Sequence, residues 1–426
     1  MSGIVQNNIL RSSGTIAVSA AGLNWSDTII TGSTATVEAG NGYWINTTSN
    51  TCTITLPSSA EKGDQIVLID YARTWGTNSI FIDSNGLNYQ GNDDTYTVEY
   101  NTDGQSVNII YSDATKGWIP LEDDVTADAP VAPPTQKGIF GYGFTGSNVS
   151  MTNLVNSSGV IAADVTGVGT ARRGLAATSY GGDKAIFGYG YTGSYVSLTN
   201  LVSNSGVVAS DTTGIGTARR YLDAASYGGD KGIFGYGSTG SNFSLTNLVS
   251  NSGVVSADVT GVGTARRYLA ASSYGGDKAI FGYGYNGSSM VSLTNLVSNT
   301  GVVSSDTTGV GTARSNLAAS NYGGDKAIFA YGSTTGDGSG AVSLKNLVSN
   351  TGVVASNVTG VGTARYALAA TSYGGDKSIF GYGDNASDSK VSMSNLVSSS
   401  GVVASDVTGV GTARSYLGAA GYSTSA

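Results

Sequence analysis

The sequence contains no histidine and one cysteine, Cys52, among its 426 residues. Without histidine there is no His-based acid–base pair and no catalytic triad. One cysteine with no histidine excludes a Cys/His zinc site, and it excludes an intrachain disulfide. The sequence also lacks a Gly-x-Ser-x-Gly motif and a P-loop. We therefore predict that the chain is not an enzyme and binds no cofactor and no metal.

Charge is also scarce, and basic clusters are missing. Charged residues make up 12% of the chain, the net charge is −8, and there is no run of Lys or Arg. This balance argues against nucleic acid as a partner. The first residues, MSGIVQNNILRSSG, contain no apolar stretch long enough for a signal peptide or a membrane span. We expect synthesis in a cytoplasm and no membrane insertion.

What the chain does contain is a repeat. Segments like KAIFGYG begin at regular spacing, and each is followed by two further apolar runs separated by Gly-rich turns. No helical period is present, so each unit is predicted to be a four-stranded antiparallel sheet that stacks on its neighbours. The copies start at Lys137, Lys184, Lys231, Lys278, Lys326 and Lys377.

The ends of the repeat are offset. The first strand of a unit, for example Leu175–Tyr180, has its last copy at Leu417–Tyr422, whereas Lys137–Gly143 has no preceding first strand. Pairing these two segments would close a ring of six units and remove two unpaired edges. Asp223 departs from the small residues of the first strand, and we expect it to line the central channel.

The repeat resembles a known family. An Arg, a small-apolar strand, Gly-Gly-Asp and Ile-Phe-Gly-Tyr-Gly together resemble the kelch repeat over Lys137–Tyr422. The late kelch Trp is missing, because all four Trp lie before residue 120. The resemblance implies that residues 137–426 form a six-bladed kelch-like β-propeller closed by the C-terminal strand. It implies a fold and not a function.

The region before the repeat divides into three parts. Residues 1–40 are predicted to be an extended arm with short strands. Residues 41–121 contain six strand-like segments separated by turn sequences, with Trp44, Phe81, Tyr111 and Trp118 as expected core aromatics. Residues 122–136 contain three of the five prolines and are predicted to be an extended linker. The whole chain is thus predicted to be all-β.

The pieces GYWINT, LPSSAEKGD and ATKGW, in this order, resemble a domain of bacteriophage virion fibre proteins. The resemblance implies a β-sandwich or barrel-like domain, a location in the virion, and contacts with other virion proteins through the N-terminal region. It also implies a homotrimer, since such fibre domains are commonly trimeric.

Residues that recur in every unit are expected to be scaffold. The Asp of each Gly-Gly-Asp turn, such as Asp183, fits a turn better than a catalytic pair, which is built once. The Arg that precedes each first strand is expected to form hydrogen bonds between blades. Asp384 and Asp388 are not repeated; a solvated loop is the favoured interpretation, and a cation site is the alternative.

Residues that differ between units indicate function instead. Differences concentrate in the connection from the second to the third strand and in the two residues after the repeated Arg. These positions should share the face opposite the linker, where exposed Tyr and Arg suit ligand binding. The alternative is neutral drift. The candidate ligand-binding residues are Phe144, Tyr191, Tyr195, Arg220, Tyr221, Arg267, Tyr268, Tyr285 and Tyr366.

The leading hypothesis is a virion tail fibre or spike whose propeller binds a host cell-surface receptor, expected to be a glycan. The alternative is a head decoration or collar protein without a ligand. A cytoplasmic kelch-type scaffold comes third, because the N-terminal domain disfavours it.

Overall fold

The structure is a computed structural model that describes residues 23–93, 97–121, 127–131 and 135–425. The chain is all-β, with 45% of residues in strands and 1% in helix, which confirms the predicted class. It separates into two compact units, Met1–Pro130 and Val131–Ala426. The described residues form no helix with the length and apolarity needed to cross a membrane.

The first unit contains two five-stranded sheets, with strand orders β1-β3-β5-β8-β9 and β10-β7-β6-β4-β2. Up to β6 the chain alternates between the sheets, so next-but-one strands pair in parallel. The strands are β1 Asn24–Ile30, β2 Thr34–Thr36, β3 Asn41–Ile45, β4 Cys52–Thr55, β5 Gln65–Asp70, β6 Ile80–Asp83, β7 Thr97–Tyr100, β8 Ser106–Asp113, β9 Gly117–Pro120 and β10 Ala127–Val131.

Both sheets contribute to one hydrophobic core. Tyr111 and Trp118 lie in it, as predicted. Trp44 and Phe81 do not: they are half-buried, because the alternation along each strand turns their neighbours Ile45 and Ile80 inward instead. The expectation that these two aromatics are core residues was therefore wrong.

Two predicted segments lie only partly within the described residues. Of the N-terminal arm, β1 and β2 are described, and residues 1–22 lie outside the described part. Of the predicted linker, Ala127–Val131 is a strand beside β7 rather than a free spacer. Residues 122–126 and 132–134 are likewise outside the described part.

The second unit contains six three-stranded sheets and one two-stranded sheet. Their strand orders are β12-β11-β30, β13-β14-β15, β16-β17-β18, β19-β20-β21, β22-β23-β24, β26-β27-β29 and β25-β28. The strands are β11 Lys137–Phe144, β12 Asn148–Val155, β13 Ala176–Tyr180, β14 Lys184–Tyr191, β15 Tyr195–Val202, β16 Asp223–Tyr227, β17 Lys231–Gly235, β18 Thr246–Val249, β19 Ala270–Tyr274, β20 Lys278–Gly282, β21 Thr294–Val297, β22 Ala318–Tyr322, β23 Lys326–Ala330, β24 Lys345–Val348, β25 Arg365–Tyr366, β26 Ala369–Tyr373, β27 Lys377–Gly381, β28 Asp384–Asn385, β29 Ser394–Val397 and β30 Gly418–Tyr422.

The predicted fourth strand does not form a continuous ladder. In the second repeat it pairs with β15 only at Val208, opposite Val202, and at Thr212, opposite Thr199. The fourth segment takes four residue steps from Val208 to Thr212, whereas β15 takes three from Thr199 to Val202. One residue of the fourth segment is therefore left unpaired. The Asn200 side chain fills the gap by donating to the Ala209 carbonyl at 3.0 Å. A side chain therefore replaces part of the ladder that the sequence pattern predicts.

The predicted pairing of the chain end with the first repeat is confirmed. Strand β30 runs antiparallel to β11, from Lys137 opposite Tyr422 to Gly141 opposite Gly418. The first strands β13, β16, β19, β22, β26 and β30 contact one another in this order, and β30 contacts β13 again. The series of neighbours therefore ends where it begins.

The repeated Arg joins each sheet to the next. Arg172 is fully buried, and its guanidinium lies 4.2 Å from the ring centroid of Tyr142 in the first sheet. It donates to the Tyr189 carbonyl at 2.8 Å and to Asn200 Oδ1 at 2.6 Å, both in the second sheet. Asp211 lies 3.7 Å away as a partial counter-ion. Arg172 therefore lies between two sheets, as predicted, but its side chain meets the first sheet through the Tyr142 ring and not through the predicted hydrogen bond.

The same contact recurs at every junction. The Arg-to-ring distances are 4.2–4.4 Å in all six pairs, which are Arg172–Tyr142, Arg219–Tyr189, Arg266–Tyr236, Arg314–Tyr283, Arg365–Tyr331 and Arg414–Tyr382. The last pair spans the ends of the series, since Arg414 also donates to the Tyr142 carbonyl of the first sheet at 2.9 Å.

The Tyr in this contact sits on a bulge. Tyr142 has φ of 61°, and the β11–β12 register shifts between Gly141 and Gly143. The bulge turns the Tyr ring into the space between sheets, where it meets Phe187 of the next sheet edge-on at 5.2 Å. A Cβ on Gly141 would lie 2.7 Å from the Phe187 ring, so glycine suits this close approach. Ala330 takes the equivalent position in the fifth sheet, where the Tyr331 and Phe380 ring centroids lie 5.4 Å apart.

We expect Arg172→Ala to lower the free energy of unfolding by about 3–5 kcal/mol, because buried acceptors and a Tyr face lose their partner. The adjacent Arg173→Ala is the matched control, and it should cost less than about 1 kcal/mol because Arg173 is partly exposed. Urea unfolding of both variants measures the difference. Equal losses would contradict the structural role assigned to Arg172.

Deleting Ser415–Ala426 removes β30 and should lower the melting temperature sharply, because β11 is left with an unpaired edge. Deleting only Thr424–Ala426, which lies beyond β30, should have little effect. Calorimetry compares both truncations with the full chain. A protein without Ser415–Ala426 that melts like the full-length chain would contradict the closing role of β30.

Candidate functional site

The connections that vary between repeats lie at one edge of the sheets. In the second repeat, Tyr191 pairs with Tyr195 across the variable connection, whereas Tyr180 pairs with Lys184 at the opposite end. Arg173, which follows the repeated Arg, forms a bridge with Tyr191. The two variable positions therefore meet at one edge, as the sequence predicts. We call this the variable edge.

At the variable edge, the second residue after each repeated Arg belongs to a closed circuit of hydrogen bonds. Each N–H donates to the carbonyl of the equivalent residue in the preceding repeat at 2.7–2.9 Å, and Gly174 donates to Tyr416. All six residues have φ between 52° and 62°. This set, the mouth ring, consists of Gly174, Tyr221, Tyr268, Asn316, Ala367 and Tyr416.

The mouth ring has one glycine, which has a specific role. A Cβ on Gly174 would lie 2.9 Å from the ring of Tyr221, so the missing side chain lets Tyr221 lie across this position. Tyr221 then reaches Tyr416 at 5.6 Å and Tyr268 at 4.1 Å between ring centroids. Sequence reasoning missed this circuit because five of its six residues are not glycine, although their φ is positive.

Next to the mouth ring, and including its Tyr221 and Tyr268, arginines contact aromatic rings in series. The Arg173 guanidinium lies 4.2 Å from the Phe144 ring centroid and 5.6 Å from that of Tyr191. On the other side of Tyr191 lies Arg220, at 4.4 Å. Each contact is short enough for a cation–π interaction.

The series continues through the next two repeats. Arg220 also lies 5.5 Å from Tyr195 and 4.5 Å from Tyr221. Arg267 lies 5.4 Å from Tyr268 and 5.2 Å from Tyr285. The resulting aromatic row contains eight of the predicted site residues together with Arg173, which the prediction left out. Its members are Phe144, Arg173, Tyr191, Tyr195, Arg220, Tyr221, Arg267, Tyr268 and Tyr285.

Tyr366, the ninth predicted residue, lies outside the aromatic row. It is buried, and its hydroxyl donates to Asp388 Oδ1 at 2.6 Å. The same oxygen accepts from the Gly338 N–H at 2.8 Å. Burial, with the Asp388 hydrogen bond, raises the pKa of Tyr366. Asp388 therefore connects the long loops of two repeats, and Tyr366 supports it with a hydrogen bond.

The two unrepeated carboxylates have partners within the protein. Asp388 accepts the hydrogen bonds from Tyr366 and Gly338, and Asp384 lies 3.8 Å from Lys390 Nζ. Burial raises the pKa of Asp384. In the described part of the chain, no three His, Cys, Asp or Glu side chains converge as a metal site would require. Asp388 is exposed, as the solvated-loop interpretation predicts, but that interpretation was wrong for Asp384, which is buried in β28.

A central cavity of about 100 Å³ lies between the first strands of all six sheets. A smaller cavity of about 50 Å³ lies on its far side, and six small residues line both. Leu175 and its equivalents line the larger cavity only. The shared residues are Ala177, Ala224, Ala271, Ala319, Ala370 and Ala419.

Asp223 lines the larger cavity, as its departure from the repeat predicts. Its Oδ2 accepts a hydrogen bond from the Ala271 N–H of the next sheet at 2.7 Å. Burial raises the pKa of Asp223 to about 7, although hydrogen bonds from the Ala224 and Ala271 backbones favour the charged form. The fold therefore holds a carboxyl group in an environment that disfavours its charge.

We expect Asp223→Ala to raise the melting temperature at pH 8 and to raise it less at pH 5. The pKa is about 7 in the folded chain and ordinary in the unfolded chain, so stability falls as pH rises from about 4 to 7. The variant removes that penalty, which is complete above pH 7. Calorimetry of both proteins at both pH values tests this. A variant less stable than the parent at pH 8 would contradict it.

Neither a protein-family model nor a curated protein matches this chain.

Proposed function

We propose that this protein is a virion fibre or spike protein whose second unit binds a host surface glycan through the aromatic row. The observation that carries the proposal is the continuous series of Arg–ring and ring–ring contacts from Phe144 to Tyr285 along the variable edge. These residues differ between repeats, so the scaffold does not require them.

We also propose that the six sheets of the second unit are the blades of a kelch-like propeller. The pairing of β30 with β11, the six equivalent Arg–Tyr contacts and the mouth ring all support this arrangement. A propeller holds its loops on a rigid frame, which suits a surface made for binding.

The chemistry of the row favours an acidic polysaccharide. Tyr rings offer flat apolar faces for sugar rings and hydroxyls for hydrogen bonds. Within the described residues, the guanidinium groups of Arg173 and Arg220 make ring contacts but no hydrogen bond and no ion pair. Their N–H groups are therefore available to the carboxylate or sulfate groups of a ligand, which Arg binds in a forked geometry.

The first unit supplies the virion part of the proposal through its resemblance to phage fibre domains. In that role it attaches to other virion proteins and forms a homotrimer. Several copies on one particle would make weak glycan contacts effective, because the second contact becomes intramolecular.

The test replaces Arg173, Arg220 and Arg267 with Ser, the residue at the equivalent positions Ser315 and Ser415. Binding to immobilised alginate, a polyuronate, should fall at least about tenfold, since each exposed charge contact contributes ~0.5–1 kcal/mol. Binding to neutral dextran should change little. Biolayer interferometry measures both.

The matched control replaces Lys184, Lys231 and Lys278 with Ser, which changes the net charge equally at the opposite end of the same sheets. This control should keep its alginate binding. Equal losses in both variants would point to net charge alone. A parent protein that binds neither polysaccharide would favour the alternative of a head decoration or collar protein.

A further inference from the structure

The central cavity contains a carboxyl group that the scaffold does not need. At the position of Asp223, the other repeats have only Ala or Gly: Ala176, Ala270, Ala318, Ala369 and Gly418. Five first strands therefore pair and pack without this side chain. Burying a carboxylate away from water costs free energy, so its presence in one repeat calls for a compensating interaction.

We infer that the central cavity is a second ligand site, which takes the primary ammonium group of an unbranched aliphatic amine with Asp223 as its counter-ion. The site shares Tyr221 and Tyr268 with the aromatic row, but the inference rests on Asp223 and does not depend on the glycan proposal.

The lining supplies no cation of its own. The residues around the cavity are small or aliphatic apart from Asp223, Asn316 and the three tyrosines Tyr221, Tyr268 and Tyr416. No Lys or Arg is among them. The Asp223 carboxylate thus has backbone N–H partners but no counter-ion in the lining, which favours a cationic ligand and repels an anionic one.

The lining also discriminates between kinds of cation. Ca²⁺ requires six to eight oxygen ligands and Mg²⁺ a near-octahedral set, yet one carboxylate lines the cavity and the mouth-ring carbonyls already accept hydrogen bonds. An ammonium group requires less: the Asp223 carboxylate can accept its hydrogen bonds, and Tyr221, Tyr268 and Tyr416 line the cavity around it.

Size and polarity restrict the rest of the ligand. The cavity of about 100 Å³ is smaller than the ~300–1,000 Å³ of sites for drug-sized ligands. It is therefore too small for a sugar ring but suits the end of a straight chain. Six leucines, including Leu222 and Leu269, line it and can pack against methylene groups.

The protonation state of Asp223 should also make amine binding depend on pH. The titratable groups that face the cavity from the six surrounding strands and the mouth ring are Asp223, Tyr221, Tyr268 and Tyr416. Burial raises the pKa of Tyr268 and Tyr416, so both stay neutral near pH 7. Asp223 titrates at about 7, so an amine should bind more tightly at pH 8 than at pH 5.5.

The experiment is calorimetric titration of the full chain with n-butylammonium at pH 8. We expect millimolar or tighter binding that weakens at least about tenfold in Asp223→Ala, a variant that should fold because Ala occupies four equivalent positions. The Lys184, Lys231 and Lys278→Ser protein should bind the amine like the parent, because these lysines lie at the opposite end of the same sheets.

Two further ligands distinguish the source of the amine. Tighter binding of 1,4-diaminobutane would indicate a free diamine, and tighter binding of Nα-acetyl-lysine amide would indicate a lysine side chain; either outcome supports an ammonium site. Absence of butylammonium binding, equal binding by Asp223→Ala, or equal competition by K⁺ would overturn the inference.

Discussion

A buried guanidinium that no repeat can satisfy alone determines the structure of the second unit. Arg172 has no exposed surface, and burying its charge away from water is costly unless polar partners surround it. Those partners belong to two different sheets: the ring of Tyr142 on one side, and Asn200 and the Tyr189 carbonyl on the other. The buried Arg therefore joins each sheet to its neighbour.

Many features of the repeat follow from this contact. The bulge at Tyr142 places an aromatic ring against the guanidinium, and it has an unusual positive φ at a residue that is not glycine. Asn200 accepts from the Arg and donates to the irregular fourth segment. Asp211 accepts a hydrogen bond from the Thr170 N–H and lies near Arg172. One buried charge thus fixes a bulge, a turn and an outer segment.

The variable edge does not depend on the contacts of the buried Arg. The buried Arg contact involves only the repeated Arg and not the two residues that follow it. The backbone of those two residues is fixed by a β-bridge and by the mouth ring, whose hydrogen bonds use N–H and carbonyl groups rather than side chains. Gly174, Tyr221 and Asn316 occupy the same backbone conformation with different side chains. Side chains can therefore change there without loss of the scaffold.

Features that follow from the number of repeated segments could be predicted from the sequence. Features that depend on the geometry of individual side chains could not. The pairing of β11 with β30 was predictable because the counts of first and second strands leave one of each unpaired. The fourth strand was predicted wrongly, because an Asn side chain takes the place of a ladder hydrogen bond, which no hydrophobic pattern encodes. In the first unit, turn residues marked the strands but not their parallel order.

The candidate site was also predictable where it depends on the repeat, and not where it depends on one side-chain contact. Eight predicted residues lie together because the repeat places equivalent positions side by side, so a variable residue in one repeat meets that of the next. Tyr366 lies outside the row because its partner, Asp388, belongs to a loop that no other repeat contains.

The closing strand can also be supplied by another copy of the chain. Strand β30 holds its place through five paired residues, and it lies at the far end of the sequence from β11. If two copies exchange their C-terminal segments, each β11 acquires the same partner, and each Arg414 reaches the same Tyr142 carbonyl as before. Such a swapped pair needs no new interface, so its formation depends on chain concentration and on how readily β30 detaches.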